Sequence, residues 1–335
     1  MTIPQLFNEK KGGGDFLTVA GFYHMLTVDE MKERWQGVVI PLVTVFKEDL
    51  SLDLPALESN VQWLIGACIG NSIFLAAGSG GDFSVMNTDE RKQVIKTVAE
   101  VASGKVPLIA SSQSTDIRVC IEICNFCEDC GYDCVQIAGP YYYDGRPLDA
   151  MAWMQQVAKH TDVGFAIYNN WYTGYDMPID LIDEMLEIKN SVAVKWGSPN
   201  VFNYMEGIHR FSPKAVVVDN ALLSVLSYLL GVRAFISHEP NFCPEHAWRV
   251  IDYLREGKYE AAQAEYDRYW VPWSKLIGQV ATQTGGEAVF VRPAMEAAGL
   301  KAGYSRLPSR DKAITQELRE GFKKLVADLQ NASAL

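Results

Sequence analysis

From Gly37 onward the chain alternates short, continuous apolar runs with longer stretches whose apolar residues recur at helical spacing. The apolar runs fall at 38–46, 72–77, 106–111, 134–138, 164–169, 192–196, 215–219 and 233–237. They are rich in Val, Ile, Ala and Phe and lack polar alternation, the pattern of strands covered on both faces, as parallel sheets require. Helical periodicity occupies 54–67, 88–102, 116–130, 148–160 and 179–188 between them. Asn87-Thr88-Asp89-Glu90 is a helix start signal, and Pro178 stands just ahead of another apolar-periodic run. Eight strand–helix units predict an α/β fold, a (β/α)8 TIM barrel; an open doubly wound sheet is the alternative that the rhythm alone allows.

Two segments lie outside the eight units. Residues 1–36 hold a Gly-rich patch (Gly12-Gly13-Gly14) and a short helix with a capping box at Thr27 and Glu30, read as a surface extension, partly disordered. After the eighth strand, helical patterns run through 248–275, 287–299 and 312–329, with a loop at Gln283-Thr284-Gly285-Gly286. The expected organisation is an N-terminal extension (1–36), the barrel (37–250) and a C-terminal helical region packed on it (251–335).

Composition narrows the function classes. A chain of 335 residues with 48% hydrophobic and 21% charged residues is globular, not disordered. Its net charge of −11, with no basic stripe, argues against nucleic acid and anionic membranes as partners. No apolar run approaches the ~18 residues that a membrane span needs. Residues 1–26 lack a positive region followed by an apolar stretch, so no secretory signal is read there. Seven cysteines, an odd number, fit reduced thiols and a cytoplasmic location.

Four of those cysteines, Cys124, Cys127, Cys130 and Cys134, have the C-x2-C-x2-C-x3-C spacing of bacterial ferredoxins. Against a cluster, Val135 stands where proline is usual, and the run spans a helix, a turn at Gly131 and a strand. Cys120, Cys124 and Cys127 also share one helix face, where cysteine packs as a small hydrophobe. Core packing is the expectation; a metal cluster and redox sensing are the alternatives.

In a barrel of this kind the site lies at the C-terminal ends of the strands. Those ends carry Gly78-Ser79-Gly80-Gly81-Asp82, Pro140-Tyr141-Tyr142-Tyr143, Tyr168-Asn169-Asn170, Lys195, Asp219-Asn220 and His238-Glu239. Lys195 sits in the apolar run Val192-Ala193-Val194-Lys195-Trp196, where an ammonium loses hydration. Desolvation lowers its pKa and makes the amine nucleophilic. The competing reading is an inward lysine paired with a carboxylate or reaching to the barrel mouth. Tyr168, at a neighbouring strand end, could move protons if the lysine charge lowers its pKa, or it could be a core tyrosine bonded to a backbone carbonyl. Ser79 could relay a proton, and the N–H groups around Gly80 and Gly81 could hold a carboxylate. His238 and Glu239 could orient a substrate hydroxyl or a water, or pair with each other.

In order and spacing these motifs resemble the dihydrodipicolinate synthase / N-acetylneuraminate lyase family of class I aldolases, over about residues 37–329. The family's Gly-Thr-Thr-Gly-Glu motif stands here as Gly78-Ser79-Gly80-Gly81-Asp82, its Pro-Tyr-Tyr as Pro140-Tyr141-Tyr142, and its Tyr-Asn as Tyr168-Asn169. Its lysine strand stands as Val192-Ala193-Val194-Lys195, and Arg292 to Leu300 resembles its C-terminal helix. The resemblance implies a barrel, commonly a homotetramer (a dimer of dimers), that joins lysine to a 2-oxo acid, usually pyruvate, with no other cofactor and no metal. By position, Lys195 would form the Schiff base and Tyr168 would be the general acid/base. Ser79 and Tyr142 would extend the proton relay, and the Ser79–Gly80 backbone would bind the carboxylate. In the synthases the counterpart of Tyr142 comes from the neighbouring subunit.

The departures shape the expected substrate. Gly80 replaces the second threonine, Asp82 replaces the glutamate, and Asn170-Trp171-Tyr172-Thr173-Gly174 replaces a segment in which the synthases keep a serine-arginine pair. That arginine holds the second substrate's carboxylate in the synthases, so lysine biosynthesis is not the expected role. Trp171, Tyr172, Tyr175, Tyr143 and Trp196 crowd the expected mouth, as an apolar or aromatic substrate or a subunit contact would require. The substrate-binding set is then Gly78, Gly80, Gly81, Asn170, Trp171, Tyr172 and His238. The leading reading is a hydratase-aldolase-type lyase. A dehydratase or deaminase of a keto-deoxy sugar acid or cyclic imino acid, served by Asp219, Asn220, His238 and Glu239, is one alternative. A barrel that has lost catalysis and only binds a metabolite is the other.

Overall fold

In a computed structural model the described residues are 25–68, 72–143, 145–172, 174–220 and 224–331. Among them, eight parallel strands follow one another around a closed barrel, the last pairing with the first. They are β1 (Gly37–Pro41), β2 (Ser72–Ala76), β3 (Leu108–Ser111), β4 (Cys134–Ala138), β5 (Phe165–Tyr168), β6 (Ser191–Trp196), β7 (Val216–Asp219) and β8 (Ala234–Ile236). α1 (Val28–Arg34) precedes the barrel. The outer ring is α2 (Leu54–Cys68), α3 (Thr88–Ala102), α4 (Ile117–Asp129), α5 (Pro147–His160), α6 (Ile179–Met185), α7 (Val201–Phe211) and α8 (Ser224–Leu229). After β8 come α9 (Pro244–Arg255), α10 (Tyr259–Ala281), α11 (Ala288–Ala297) and α12 (Gln316–Asn331). The closed ring excludes the open doubly wound sheet. No helix among the described residues is long and apolar enough to cross a membrane.

Side chains alternate across a strand, so each strand feeds two separate cores. Val39, Ile73, Ile109, Ala166, Ala193 and Val216 meet inside the barrel, whereas Ile40, Phe74, Ile137, Ile167 and Val194 pack against the helices. This double burial is why the runs read as continuous apolar sequence. It also explains the cysteines. Cys120, Cys124 and Cys127 lie in the layer between helix and sheet, while Cys134 points into the barrel interior, so the sheet itself separates the fourth thiol from the others. Among the described residues no group of three or more His, Cys, Asp or Glu side chains is placed to hold a metal ion.

The expected helix starts are present. The Asn87 side chain accepts from Glu90 N at 2.9 Å and Asn87 N donates to the Glu90 carboxylate at 3.0 Å. Thr27 and Glu30 form the same reciprocal pair. The helix that follows is not a surface appendage. Met31 and Trp35 are fully buried in the interior core, and Arg34 Nε donates to Asp133 Oδ2 at 3.1 Å, which closes the N-terminal end of the barrel. Each such apolar side chain contributes roughly 1.5–3 kcal/mol by burial. The Gly12–Gly14 patch lies outside the described residues.

Two boundaries differ from the periodicity. The run 38–46 leaves the ladder after Pro41, and its second half turns outward to meet the C-terminal segment, with Tyr304 N donating to Phe46 O at 3.0 Å. Its residues stay buried, so hydrophobicity did not mark the change. The pattern 248–275 divides into α9 and α10 at Gly257, whose φ of 72° is a backbone turn that glycine adopts without strain.

The C-terminal helices are tied to the barrel mouth by one buried ion pair. Arg292 of α11 donates to Asp82 at 2.6 Å and to Thr44 O at 3.0 Å, and also reaches Ala302 O. Burial pushes the Asp82 carboxyl up, and the guanidinium works against that push. Removing one partner strands a buried charge. Arg292→Ala is therefore expected to lower stability by about 3–5 kcal/mol in urea unfolding; a loss below about 1 kcal/mol would show that the pair does not anchor α11.

Candidate active site

β5 and β6 are aligned so that Tyr168 and Lys195 are direct partners across the ladder. Lys195 follows Ala193 on the inward face and lies at the last turn of the pleat before the strand ends. Its ammonium is 4.1 Å from the centre of the Tyr168 ring, in cation–π contact. Burial brings the Lys195 amine down from 10.5 to about 8, and the Glu287 carboxylate pulls in the opposite direction. The lysine is thus part neutral near physiological pH, the state in which an amine attacks a carbonyl.

Tyr168 hydrogen-bonds through its hydroxyl to the Tyr172 hydroxyl at 2.6 Å. The expectation that the lysine charge lowers Tyr168 is not met. Burial pushes its phenol well above 10, and the charges of Tyr172 and Glu287 add to the push. Tyr172 itself is pushed up to about 12, by burial first and then by Glu287. Both tyrosines therefore hold their protons and form a donor pair beside the amine.

Tyr168, Tyr172 and Lys195 line one cavity of about 750 Å³ at the C-terminal end of the barrel. Ser79 and Gly80 line it too, whereas Gly78 and Gly81 stand behind them. Gly81 N donates to Gly78 O at 3.0 Å and Asp82 N to Ser79 O at 3.1 Å, so the glycine loop is a tight 3-10 turn whose later N–H groups are already used. The loss of threonine at Gly80 has a steric reason. A Cβ there would lie 2.6 Å from His238 Cε1 and 2.9 Å from Pro41 Cβ, so the histidine ring fills the space a side chain would need. His238 lines the cavity with its Nε2 3.7 Å from Glu287 Oε2. Burial and the Lys195 charge bring His238 down to about 4, so the ring is neutral.

The loop after β5 is pinned by Asn169, whose amide donates to Asp176 at 2.9 Å and whose oxygen accepts from Met177 N at 2.9 Å. That anchor turns Asn170, Trp171, Tyr172 and Tyr175 onto the cavity wall. Two other expected mouth residues are elsewhere. Trp196 is on the outward face, stacked over Gly207 and donating to Tyr204 O at 2.9 Å, and Tyr143 is exposed. Tyr142 also misses its own cavity: it is 84% exposed, with φ of 91°. Glu239 pairs with His246 rather than His238, and Asp219 is taken by Tyr204 and Ser227 at 2.8 and 2.7 Å, so of the four polyol-binding candidates only Asn220 and His238 face the cavity.

Sequence reasoning missed the far wall. Tyr269, Trp270 and Trp273 of α10 and Phe290 of α11 line the cavity, with Glu287 at the start of α11. Tyr266, Tyr269, Trp270 and Trp273 fall at i, i+3, i+4 and i+7, an aromatic stripe on one helix face that the sequence displays plainly. Its use as a cavity wall depends on how α10 is folded back, which the stripe does not encode.

A family model for the dihydrodipicolinate synthetase family matches residues 34–329. The chain is 26% identical over 298 residues to the 4-hydroxy-tetrahydrodipicolinate synthase of Methanosarcina barkeri, covering 87% of this chain and 98% of that relative. The N-acetylneuraminate lyase of Mycoplasma synoviae superposes with a TM-score of 0.76 at 21% identity, covering 89% of this chain and 99% of that one. YagE of Escherichia coli K12, a prophage protein of the dihydrodipicolinic acid synthase family solved in complex with pyruvate, superposes at 0.78 and 22% identity, over 88% and 98%. At those identities the two structures speak for the shared barrel. The family match runs from the closing helix of the barrel floor to the last C-terminal helix, and on that span this chain belongs to the dihydrodipicolinate synthetase family of aldolase-type lyases.

Proposed function

We propose that the protein is a class I lyase in which Lys195 forms a Schiff base with pyruvate or another 2-oxo acid, for aldol cleavage or condensation with an apolar, aromatic partner. The observation that carries this reading is a buried amine, brought down to about 8, on the wall of a cavity that Trp171, Tyr172, Tyr175, Trp270, Trp273 and Phe290 also line. The neutral amine attacks the keto carbon and water leaves from the carbinolamine. Tyr168 and Tyr172 supply and recover the protons of that step as a hydrogen-bonded pair. Ser79 and Gly80, the two loop residues on the cavity wall, are the carboxylate site. Asn170, Trp171, Tyr172 and Tyr175 hold the rest of the substrate. The sugar-acid alternative loses support because Asp219 and Glu239 turn to other partners. The binding-only alternative loses support because a lysine, two proton donors and an open cavity are together in one place.

Tyr142 fits a role outside its own site. Exposed and held at a positive φ, a conformation that costs a non-glycine residue energy, it projects away from its own barrel. We assign it to the proton relay of a neighbouring copy in a homo-oligomer.

Two experiments address these assignments. Incubation with pyruvate and borohydride is expected to add a reduced pyruvyl group to one peptide, the one holding Lys195, and Lys195→Ala is expected to remove it. An unmodified Lys195, or label spread over surface lysines, would contradict the Schiff-base assignment. For Tyr142, random mixed assembly of equal amounts of two inactive variants, Lys195→Ala and Tyr142→Phe, is expected to restore about a quarter of wild-type activity, because half of the pairs are mixed and one of the two sites in each mixed pair receives both native residues. Activity that stays at the level of the separate variants would place Tyr142 outside the relay.

A further inference from the structure

Glu287 is a carboxyl in the cavity wall whose position is built, not incidental. Gly286 before it has φ of 100°, and a Cβ there would run into Ser309 Oγ, so the turn that aims Glu287 inward needs glycine. Ser309 Oγ donates to Gly285 O at 2.8 Å and Arg310 N donates to Thr284 Oγ1 at 3.0 Å, which fixes the loop ahead of α11. Glu287 lies at the seam between two halves of the cavity. On one side are Lys195, Gly80 and the neutral His238, 3.7 Å from its carboxyl. On the other is the aromatic half, where Phe290, one turn along α11, meets the edge of His238 at 5.8 Å and of Trp273 at 5.9 Å.

The charges of the cavity point the same way. Among the described residues lining it, Lys195 is the one ammonium or guanidinium, and none forms an ion pair with Glu287. Arg292, which does not line the cavity, is spent on Asp82, a second carboxyl that does. A reactant that carried a second carboxylate would meet Glu287 with no cation to hold it.

We infer that Glu287, backed by His238, exchanges the proton of the second reactant's oxygen and selects an uncharged aryl aldehyde as that reactant. This deepens the Schiff-base reading and rests on it. In cleavage, the carboxylate takes the proton of the hydroxyl on the carbon beyond the enamine carbon. The carbon–carbon bond between those two atoms breaks, its electron pair passes to the iminium as an enamine, and the hydroxyl carbon leaves as an aldehyde. In condensation, the enamine carbon attacks the aldehyde and Glu287 returns its proton to the new alkoxide. Burial pushes the Glu287 carboxyl up from its ordinary value, against the pull of the Lys195 charge. Tyr168 and Tyr172, both pushed upward, keep their protons and are the poorer proton acceptors.

The test compares wild type with Glu287→Gln on pyruvate alone, on pyruvate with benzaldehyde, and on pyruvate with 4-carboxybenzaldehyde, which has the same ring plus a charge. Wild type is expected to trap pyruvate and to favour benzaldehyde about tenfold or more in kcat/KM, of the order of one poorly placed charge. Glu287→Gln is expected to trap pyruvate at least as fast, since the charge that favours the ammonium is gone. It is also expected to lose about 100-fold in condensation with benzaldehyde and to narrow the gap between the aldehydes. A variant that condenses at the wild-type rate, or that fails to trap pyruvate because Glu287 only sets Lys195, overturns the inference and leaves the Schiff base standing. Wild type that prefers the charged aldehyde, or takes neither, overturns the selectivity without any variant. Wild type that traps no pyruvate overturns the underlying reading instead.

Discussion

The site depends on one cost: an ammonium placed where little water reaches it. Lys195 occupies an inward position at the end of β6, one step beyond Ala193, and the pleat leaves it no route to bulk solvent other than the cavity. The fold accommodates the lysine by letting it be neutral, by placing the Tyr168 ring beneath it and by setting Glu287 within electrostatic reach. The same desolvation raises the tyrosines and lowers His238. One physical cause therefore sorts the cavity into an amine with a lowered pKa, phenols that keep their protons and an imidazole that stays uncharged.

The second constraint is the C-terminal region. It is more than a cover for the barrel. Arg292 crosses to Asp82 behind the glycine loop, and the same helix presents Glu287 and Phe290 to the cavity. The Arg292–Asp82 pair thus ties the glycine loop to the helix that forms part of the cavity wall. Gly80 and His238 show similar mutual dependence, since the absent side chain of one is the space of the other.

The fold was legible because each strand is buried twice, so its hydrophobic run is unbroken, and because capping residues such as Asn87 and Glu90 mark where helices begin. The lysine and the Tyr168 partner were legible because polar residues at the ends of such runs have few structural uses. What failed was direction and distance. Trp196 reads as a mouth residue by its number, yet strand parity turns it under α7. Glu239 reads as a partner for His238, yet the chain turns between them and gives it to His246. Glu287 carries no local signal, because its role comes from 92 residues' separation from Lys195 closed by the return of two helices. Only tertiary packing shows that.

The central claim is the state of the Lys195 amine, and competitive acetylation followed by peptide mapping measures it directly across pH. A lowered lysine reacts more as pH rises through its own pKa and then levels off, while ordinary lysines keep gaining. Half-maximal reactivity of Lys195 is expected near pH 8, in line with an amine brought down to about 8 by burial. Half-maximal reactivity near 10.5, the ordinary value, would contradict it.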